Sequence, residues 1–300
     1  MPDLTLEISP ALLPCLACPV CGAPLSISER RGSLVCAANL SSRNPQGRAH
    51  CFDGASSGYL PLAPRHGGGG DSKEAVRART AFLACGYYAR AAEAVQAAVR
   101  DYTPASGVVL DAGCGEGYYS ARIAADFPVM GVDLSKFAVE AAAKAARRAR
   151  GQAGSRTLYA VGSVFELPVR DGAFNTVVNI FAPCAPAEYA RVLCPGGHLV
   201  VVGAGERHLF GLKEILYENP YLNDPRRDLP EETDGLSLTE VRHIAYQTTV
   251  KGHESITALF SMTPYYWRTP RDSRDRLAAL ESLTTEIAFD IRIYQKNDAC

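Results

Sequence analysis

The run Val108-Val109-Leu110-Asp111-Ala112-Gly113-Cys114-Gly115-Glu116-Gly117-Tyr118-Tyr119 constrains this chain more than any other stretch. It opens as an apolar, β-branched segment, long enough for a buried strand and too short for a helix. It closes on three glycines at alternate positions, and a helical pattern follows from about Tyr118 to Asp126. Strand, glycine turn and helix make the first unit of a nucleotide-binding βα fold. Glycine there permits positive φ and lets backbone approach a ligand where a side chain would collide.

The spacing differs from the dinucleotide fingerprint. Gly113, Gly115 and Gly117 read G-x-G-x-G, with Asp111 two positions ahead of the first glycine. Asp133 ends the next apolar run, Val129-Met130-Gly131-Val132-Asp133, where it is placed to accept hydrogen bonds from a ribose diol. Asp111 suits the amino end of a methionine moiety. The pair favours S-adenosylmethionine over NAD, whose pyrophosphate needs the helix N-terminus. An ordinary tight turn would not require acids at both strand ends.

Further strand and helix patterns alternate downstream. Ser135 caps an Ala-rich helix to about Arg150, and Thr157 to Val161 reads as a strand followed by Gly162-Ser163 and Leu167-Pro168, a turn that in methyltransferases flanks the adenine. Phe174 to Ile180 is the next strand and ends in Asn179-Ile180-Phe181-Ala182-Pro183. There Asn179 is a candidate reader of a base edge, because an amide both donates and accepts. Ala185 to Leu193 reads as a helix, and Pro195-Gly196-Gly197 turns into a strand over His198 to Val202. Val241 to Val250 and Thr285 to Tyr294 read as an antiparallel edge pair. The alternation predicts an α/β fold with a largely parallel sheet covered on both faces; joined to the glycine motif and its two acids, it reads as a Rossmann-like class I methyltransferase domain.

Residues before this domain differ in kind. Cys15, Cys18, Cys21, Cys36 and Cys51 fall here together with His50. Cys18-Pro19-Val20-Cys21-Gly22 has the shape of a zinc knuckle, and tetrahedral closure needs two more ligands. Cys36 is the third, and His50 or Cys51 the fourth. Cys15 reads as a bystander that could compete as a ligand. So small a segment lacks the core to fold unaided, which favours Zn2+ over free thiols. The polar insertion from Ala37 to Ala49 reads as a loop. The chain therefore divides into a zinc-binding arm over residues 11–66, a flexible Gly67-Gly68-Gly69-Gly70 linker, and a methyltransferase domain over 72–300 whose lead-in helices occupy 72–104.

Composition narrows the classes. With 300 residues and an ordinary apolar fraction the chain can bury a sizeable core. No apolar run approaches the roughly 18 residues of a membrane span, and no basic region precedes an apolar N-terminal segment. Ten scattered cysteines fit reduced thiols in a cytoplasmic protein. A formal net charge of -1 argues against a general nucleic-acid coat protein and leaves room for a local basic patch. Lys73, Arg77 and Arg79 form either a solvated face or a phosphate contact. Lys144, Arg147, Arg148 and Arg150 are accounted for by the helix dipole, with RNA contact as the alternative. Arg207-His208 opens a helix, where a histidine is either exposed or in contact with cofactor or substrate. Met262-Thr263-Pro264-Tyr265-Tyr266-Trp267 either stacks on a flipped base, through Tyr266 or Trp267, or packs on the sheet.

These motifs together resemble a known family, the large-subunit ribosomal RNA methyltransferase A family of 23S rRNA (guanine-N1)-methyltransferases. The resemblance rests on Cys18-Pro19-Val20-Cys21, His50-Cys51-Phe52-Asp53, Arg79-Thr80-Ala81-Phe82-Leu83, the 111–119 run, Phe181-Ala182-Pro183-Cys184, Arg207-His208-Leu209 and Met262-Thr263-Pro264. It spans nearly the whole chain. The glycine motif is generic, whereas its coupling to a knuckle and a Thr-Pro-aromatic cluster is specific. The resemblance implies a zinc site of Cys18, Cys21, Cys36 and His50, and cofactor contacts from Tyr88, Glu116, Gly117, Asp133 and His208. It implies methylation of a guanine in a 23S rRNA hairpin loop and a homodimer whose arms help to form an RNA cleft. Two features depart from the family pattern: the 37–49 insertion, and four glycines where relatives carry basic residues. The rival readings are a small-molecule methyltransferase, which needs no zinc arm, and a zinc-dependent RNA-binding factor without catalysis.

Overall fold

A computed structural model of the chain describes residues 8–28, 33–37, 43–63, 69–149, 156–225, 232–267 and 269–297. Gly67, Gly68, Arg150, the 38–42 part of the insertion and the Trp267 side chain lie outside the described residues.

The arm contributes β1 (Leu25–Ile27), β2 (Ser33–Cys36), β3 (Cys51–Asp53) and β4 (Leu60–Pro61). Two helices follow, α1 (Lys73–Ala84) and α2 (Ala89–Tyr102). The Ser72 hydroxyl caps α1 by accepting from the Ala75 N–H at 3.2 Å, and Gly86 turns the chain at φ +79°. The alternating core comprises β5 (Val109–Ala112), α3 (Tyr118–Ile123), β6 (Val129–Asp133), α4 (Lys136–Ala149), β7 (Thr157–Val161), β8 (Phe174–Ile180), α5 (Pro186–Val192), β9 (Leu193–Ala204) and α6 (Phe210–Leu216). Then come β10 (Glu232–Thr233), β11 (Leu236–Lys251), α7 (His253–Ser261), α8 (Arg271–Ala278) and β12 (Ser282–Lys296). The two final long strands extend beyond the 241–250 and 285–294 expected, and α8, short and highly charged, was not anticipated.

One nine-stranded sheet has the order β10-β11-β12-β9-β8-β5-β6-β7-β4. The strands from β9 to β4 run parallel, and β12, β11 and β10 are antiparallel. Starting at β5, the chain winds outward through β6 and β7, then returns to β8 on the opposite side of β5. That reversal opens a crevice at the carboxyl ends of β5 and β8, where open α/β sheets bind ligands. The all-buried pattern of β5 and the buried Ala138, Val139, Ala142 and Ala143 face of α4 reflect a sheet covered on both sides.

The arm is divided from this domain in sequence but not in packing. Its β1, β2 and β3 form a small antiparallel sheet, while β4 joins the main sheet beside β7, with Leu60 opposite Ala160. Leu16 bridges Val169, the Ala17 N–H donates to the Pro168 carbonyl at 3.0 Å, and the Arg170 N–H donates to the Cys15 carbonyl at 2.8 Å. Leu12, Leu16, Leu34 and Leu60 lie in one core cluster with Leu110, Met130 and Leu158. Each such leucine contributes about 1.5–3 kcal/mol by leaving water, so the arm borrows the larger domain's core. No helix among the described residues is long and apolar enough to cross a membrane.

Candidate active site and metal centre

The three motif glycines all adopt positive φ, +87° at Gly113, +54° at Gly115 and +81° at Gly117. Two of them also meet close neighbours. A Cβ at Gly113 would stand 2.3 Å from the Ala182 Cβ, and one at Gly117 would stand 2.8 Å from the Tyr159 hydroxyl. The loop thus presses against the end of β8 on one side and against β7 on the other.

Asp133 fixes the loop from the end of β6. Its two carboxylate oxygens accept from the Gly115 N–H at 3.0 Å and the Ser135 N–H at 2.7 Å. Each oxygen keeps further acceptor capacity, which a ribose diol can use. Burial raises its pKa, against the pull of the Ser135 and Gly115 amides and of Arg79. Asp111 sits deeper, 1 % exposed beneath the loop, with its carboxylate accepting from the Ser120 hydroxyl. Burial pushes its pKa up to about 7, with Asp133 and Glu116 adding repulsion. The carboxylate expected to suit the amino end of a methionine moiety is thus buried and held by Ser120.

Glu116 is paired. The Arg79 Nε donates to its carboxylate at 2.6 Å, and the same guanidinium binds Asp71. Arg79 is thus neither a solvated charge nor a free phosphate ligand; it locks α1 over the glycine loop. Lys73 and Arg77 are exposed, as a solvated face requires. Lys144 pairs with Glu140 at 2.6 Å and Arg147 donates to the Ser56 carbonyl at 2.6 Å, so the basic end of α4 is partly committed within the chain.

On the other side of β5, Tyr88 and His208 come together. Their ring centroids lie 6.1 Å apart, and both pack on Phe289. Phe181 stacks on the His208 ring at 5.6 Å and 26°. His208 is buried, and its Nδ1 accepts from the Ala288 N–H at 3.2 Å. An acceptor at Nδ1 places the ring proton on Nε2. Burial, with the Lys213 charge adding to it, lowers the His208 pKa to about 3. The ring is a neutral donor over the physiological range.

Asn179 departs from its expected role. It is 2 % exposed, and the two N–H groups of its Nδ2 are shared among the Tyr189 hydroxyl at 2.9 Å, the Pro183 carbonyl at 3.0 Å and, more distantly, the Ala112 carbonyl at 3.3 Å. The amide that was to read a base instead ties β5, the turn after β8 and α5 into one corner. Tyr266 lies in a 3-10 turn, edge-on to Phe260 at 5.3 Å with the Arg274 guanidinium 5.3 Å from its ring. These neighbours belong to α7 and α8 rather than to the sheet, and Trp267 follows in the same turn.

Sequence reasoning overlooked three groups: Phe181 as a site residue, the Asp71–Arg79–Glu116 network, and the fully buried Lys213. Phe181 carries φ +50°, a conformation that nothing in its residue type announces. An apolar residue two positions before a proline at a strand end was the available signal.

In the arm, the thiols of Cys18, Cys21 and Cys36 and the His50 Nδ1 all lie within 4.8 Å of one another. Zinc bonds of about 2.3 Å to sulfur and 2.0–2.1 Å to nitrogen, at tetrahedral angles, imply S···S near ~3.8 Å and S···N near ~3.6 Å. The chain has Cys21 Sγ 3.7 Å from Cys36 Sγ, and His50 Nδ1 3.6 Å from Cys18 Sγ and 3.4 Å from Cys36 Sγ. This donor set fits a closed zinc site. Gly22, at φ +76°, completes the knuckle, and the His50 N–H donates to Cys36 Sγ at 3.1 Å. Cys51 is exposed and outside the cluster. Cys15 is also outside; its single S–H has the Ala11 and Ala173 carbonyls each 3.5 Å away as acceptors, and burial pushes its pKa up to about 11. A cleft of about 580 Å³ lies between the knuckle and the β7–β8 segment; its charged lining is balanced, with Arg43 paired to Glu166 at 2.6 Å, Arg191 paired to Glu188 at 2.6 Å and to Asp171 at 2.5 Å, and Arg170 beside them.

Comparison with known proteins agrees with this architecture. A family model described as a methyltransferase domain matches residues 109–197. A 23S rRNA (guanine(748)-N(1))-methyltransferase of Streptomyces fradiae is 31% identical, over 92% of this chain and 95% of its own length. A putative 23S rRNA (guanine-N(1)-)-methyltransferase of Micromonospora griseorubida is 34% identical, over 95% of this chain and 99% of its own. A third relative of the same putative description, from Bacillus subtilis (strain 168), is 27% identical over 93% of this chain. With a glycine-loop crevice on one side of a shared core and a Cys3His centre on the other, and with relatives of this identity along nearly its full length, the chain belongs to the 23S rRNA (guanine-N1)-methyltransferase family.

Proposed function

We propose that this chain transfers the methyl group of S-adenosylmethionine to N1 of a guanine in a hairpin loop of 23S rRNA. The observation that carries the reading is the joining, through one core, of a class I glycine-loop crevice to an arm with zinc-ligand geometry. Gly113, Gly117, Asp133 and Glu116 would line the adenosine and methionine path, with Asp111 supporting the loop from beneath and Tyr88 and His208 closing the β8–β9 side. Cys18, Cys21, Cys36 and His50 would hold Zn2+ in a closed structural site, which supplies folding energy and no open coordination position.

S-adenosylmethionine supplies a methyl on a sulfonium, and transfer is an in-line displacement in which positioning carries much of the catalysis. The protein's task is to hold the base at the end of β8 and to manage the guanine N1 proton. His208 is excluded as its acceptor: Nδ1 already accepts from Ala288, and Nε2 carries a proton. Its Nε2–H is suited to donate to an oxygen, and so to stabilise charge on a bound group. The arm would receive the RNA. A homodimer working in the cytoplasm completes the reading, with sedimentation of the full chain as its check.

Two variants test the division of labour. Asp133→Ala should lose methylation while RNA binding survives, whereas Cys21→Ser should impair RNA binding first. Methylation that persists in the Asp133 variant would overturn the cofactor assignment, and unchanged RNA affinity in the Cys21 variant would overturn the role of the arm.

A further inference from the structure

We infer that Phe181 is the platform on which the target base stacks, an inference that rests on the proposed RNA methylation. Three observations converge on this side chain. It holds a left-handed backbone, φ +50°, which a bulky residue rarely adopts without an enforced cause. Its ring is fixed, stacked on His208 at 5.6 Å and edge-on to Phe289 at 4.9 Å. Yet it remains 48 % exposed, at the mouth of a site whose other aromatic members, Tyr88, His208 and Phe289, are buried. A rigid aromatic ring held open to solvent beside the glycine loop is arranged to receive a flat, π-faced group.

The topology identifies which group. Asp133 ends β6 and Phe181 follows β8, and these strands flank β5 on opposite sides. Neighbouring strands are about 4.8 Å apart, so the two residues stand roughly 10 Å apart across the sheet. A nucleoside held by its ribose at Asp133 has its adenine over β6 and β7, away from Phe181. On that placement we assign the acceptor base, rather than the cofactor's nucleoside, to Phe181. The next residue, Ala182, presses on Gly113, so the platform and the cofactor loop are fixed relative to each other.

The test uses the full chain, a hairpin transcript from 23S rRNA and S-adenosylmethionine. Phe181→Leu retains apolar bulk without a ring, Phe181→Ala removes both, and Phe181→Trp keeps a π-face. Leu and Ala should each lower kcat/KM for RNA by about 10- to 100-fold, the scale of one base–aromatic stack. Trp should stay within about threefold of the parent, and calorimetric Kd values for S-adenosylmethionine should shift by less than about threefold throughout. Parent-like turnover in the Leu variant would show that no ring is needed. A cofactor Kd that rises in step with the lost rate would assign Phe181 to the cofactor instead. Either result overturns the platform while leaving RNA methylation standing. If the parent chain itself transfers no methyl to RNA, the proposed function fails and the platform fails with it.

Discussion

At the scale of single residues, the site depends on close approach and on two buried titratable groups of opposite sign. Gly113→Ala must accommodate a Cβ 2.3 Å from Ala182 in a left-handed turn. We expect a stability loss of about 1–3 kcal/mol and loss of cofactor binding, read by urea unfolding and calorimetry; parent-like affinity would show that the 113–182 contact relaxes freely. Asp111 and His208 make a paired pH prediction. Asp111 has a folded pKa of about 7, above its unfolded value near 3.9, so its contribution to stability rises as pH falls from about 7 to 4. His208 has a folded pKa of about 3, below its unfolded value near 6.5, so its contribution falls as pH falls from about 6.5 to 3. The two slopes oppose each other at about 1.4 kcal/mol per pH unit. Between pH 6.5 and 5, Asp111→Asn should therefore lose about 1–2 kcal/mol more than the parent, and His208→Gln should shift the other way. Parallel pH slopes in all three cofactor-free proteins would contradict both assignments.

At the scale of elements, α6 carries a buried cation that organises the segment after it. Lys213 is fully buried, and its Nζ donates to the Tyr221 carbonyl at 2.9 Å and the Asn223 Oδ1 at 2.7 Å. Asn223 in turn donates to the Gly205 carbonyl at 2.9 Å and the His208 carbonyl at 3.3 Å. Lys213→Met keeps the apolar stem and removes the donor. It should cost about 1.5–3 kcal/mol and speed amide hydrogen exchange over residues 217–225; unchanged exchange would mean that the ammonium holds nothing there. The elements that the sequence made legible are those with a local signature. The apolar run of β5, the positive-φ glycines, the acid ending β6 and the cap of α1 each show in a few consecutive residues. The Cys3His set was legible as spacing, although the choice between His50 and Cys51 needed the resemblance. What escaped depends on contacts distant in sequence. Two residues of β4 carry too little pattern to announce a sheet edge, and the Arg170–Cys15 hydrogen bond joins segments that share no periodicity. Asn179 reads as a polar residue at a strand end whether it faces a base or, as here, three internal acceptors.

At the scale of the whole molecule, the arm and the methyltransferase domain share one core cluster, so zinc is expected to affect both. The full chain should hold one zinc per chain. Removing it with a chelator should lower a single thermal transition rather than release the arm alone; an unchanged main transition would show that the arm is energetically separate. Cys36→Ser should reproduce the chelator's effect, and Cys51→Ser, at an exposed position outside the cluster, should not. The crevice at the carboxyl ends of β5 and β8 and the cleft beside the knuckle then adjoin one shared core, through which the arm can fix where an RNA loop meets the methyl donor. The most direct test is methyl transfer from labelled S-adenosylmethionine to protein-free 23S rRNA, with the product nucleoside identified by mass spectrometry. N1-methylguanosine is the expected product, lost in Asp133→Ala. Cofactor binding without transfer to RNA, or label on any atom other than guanine N1, would contradict it.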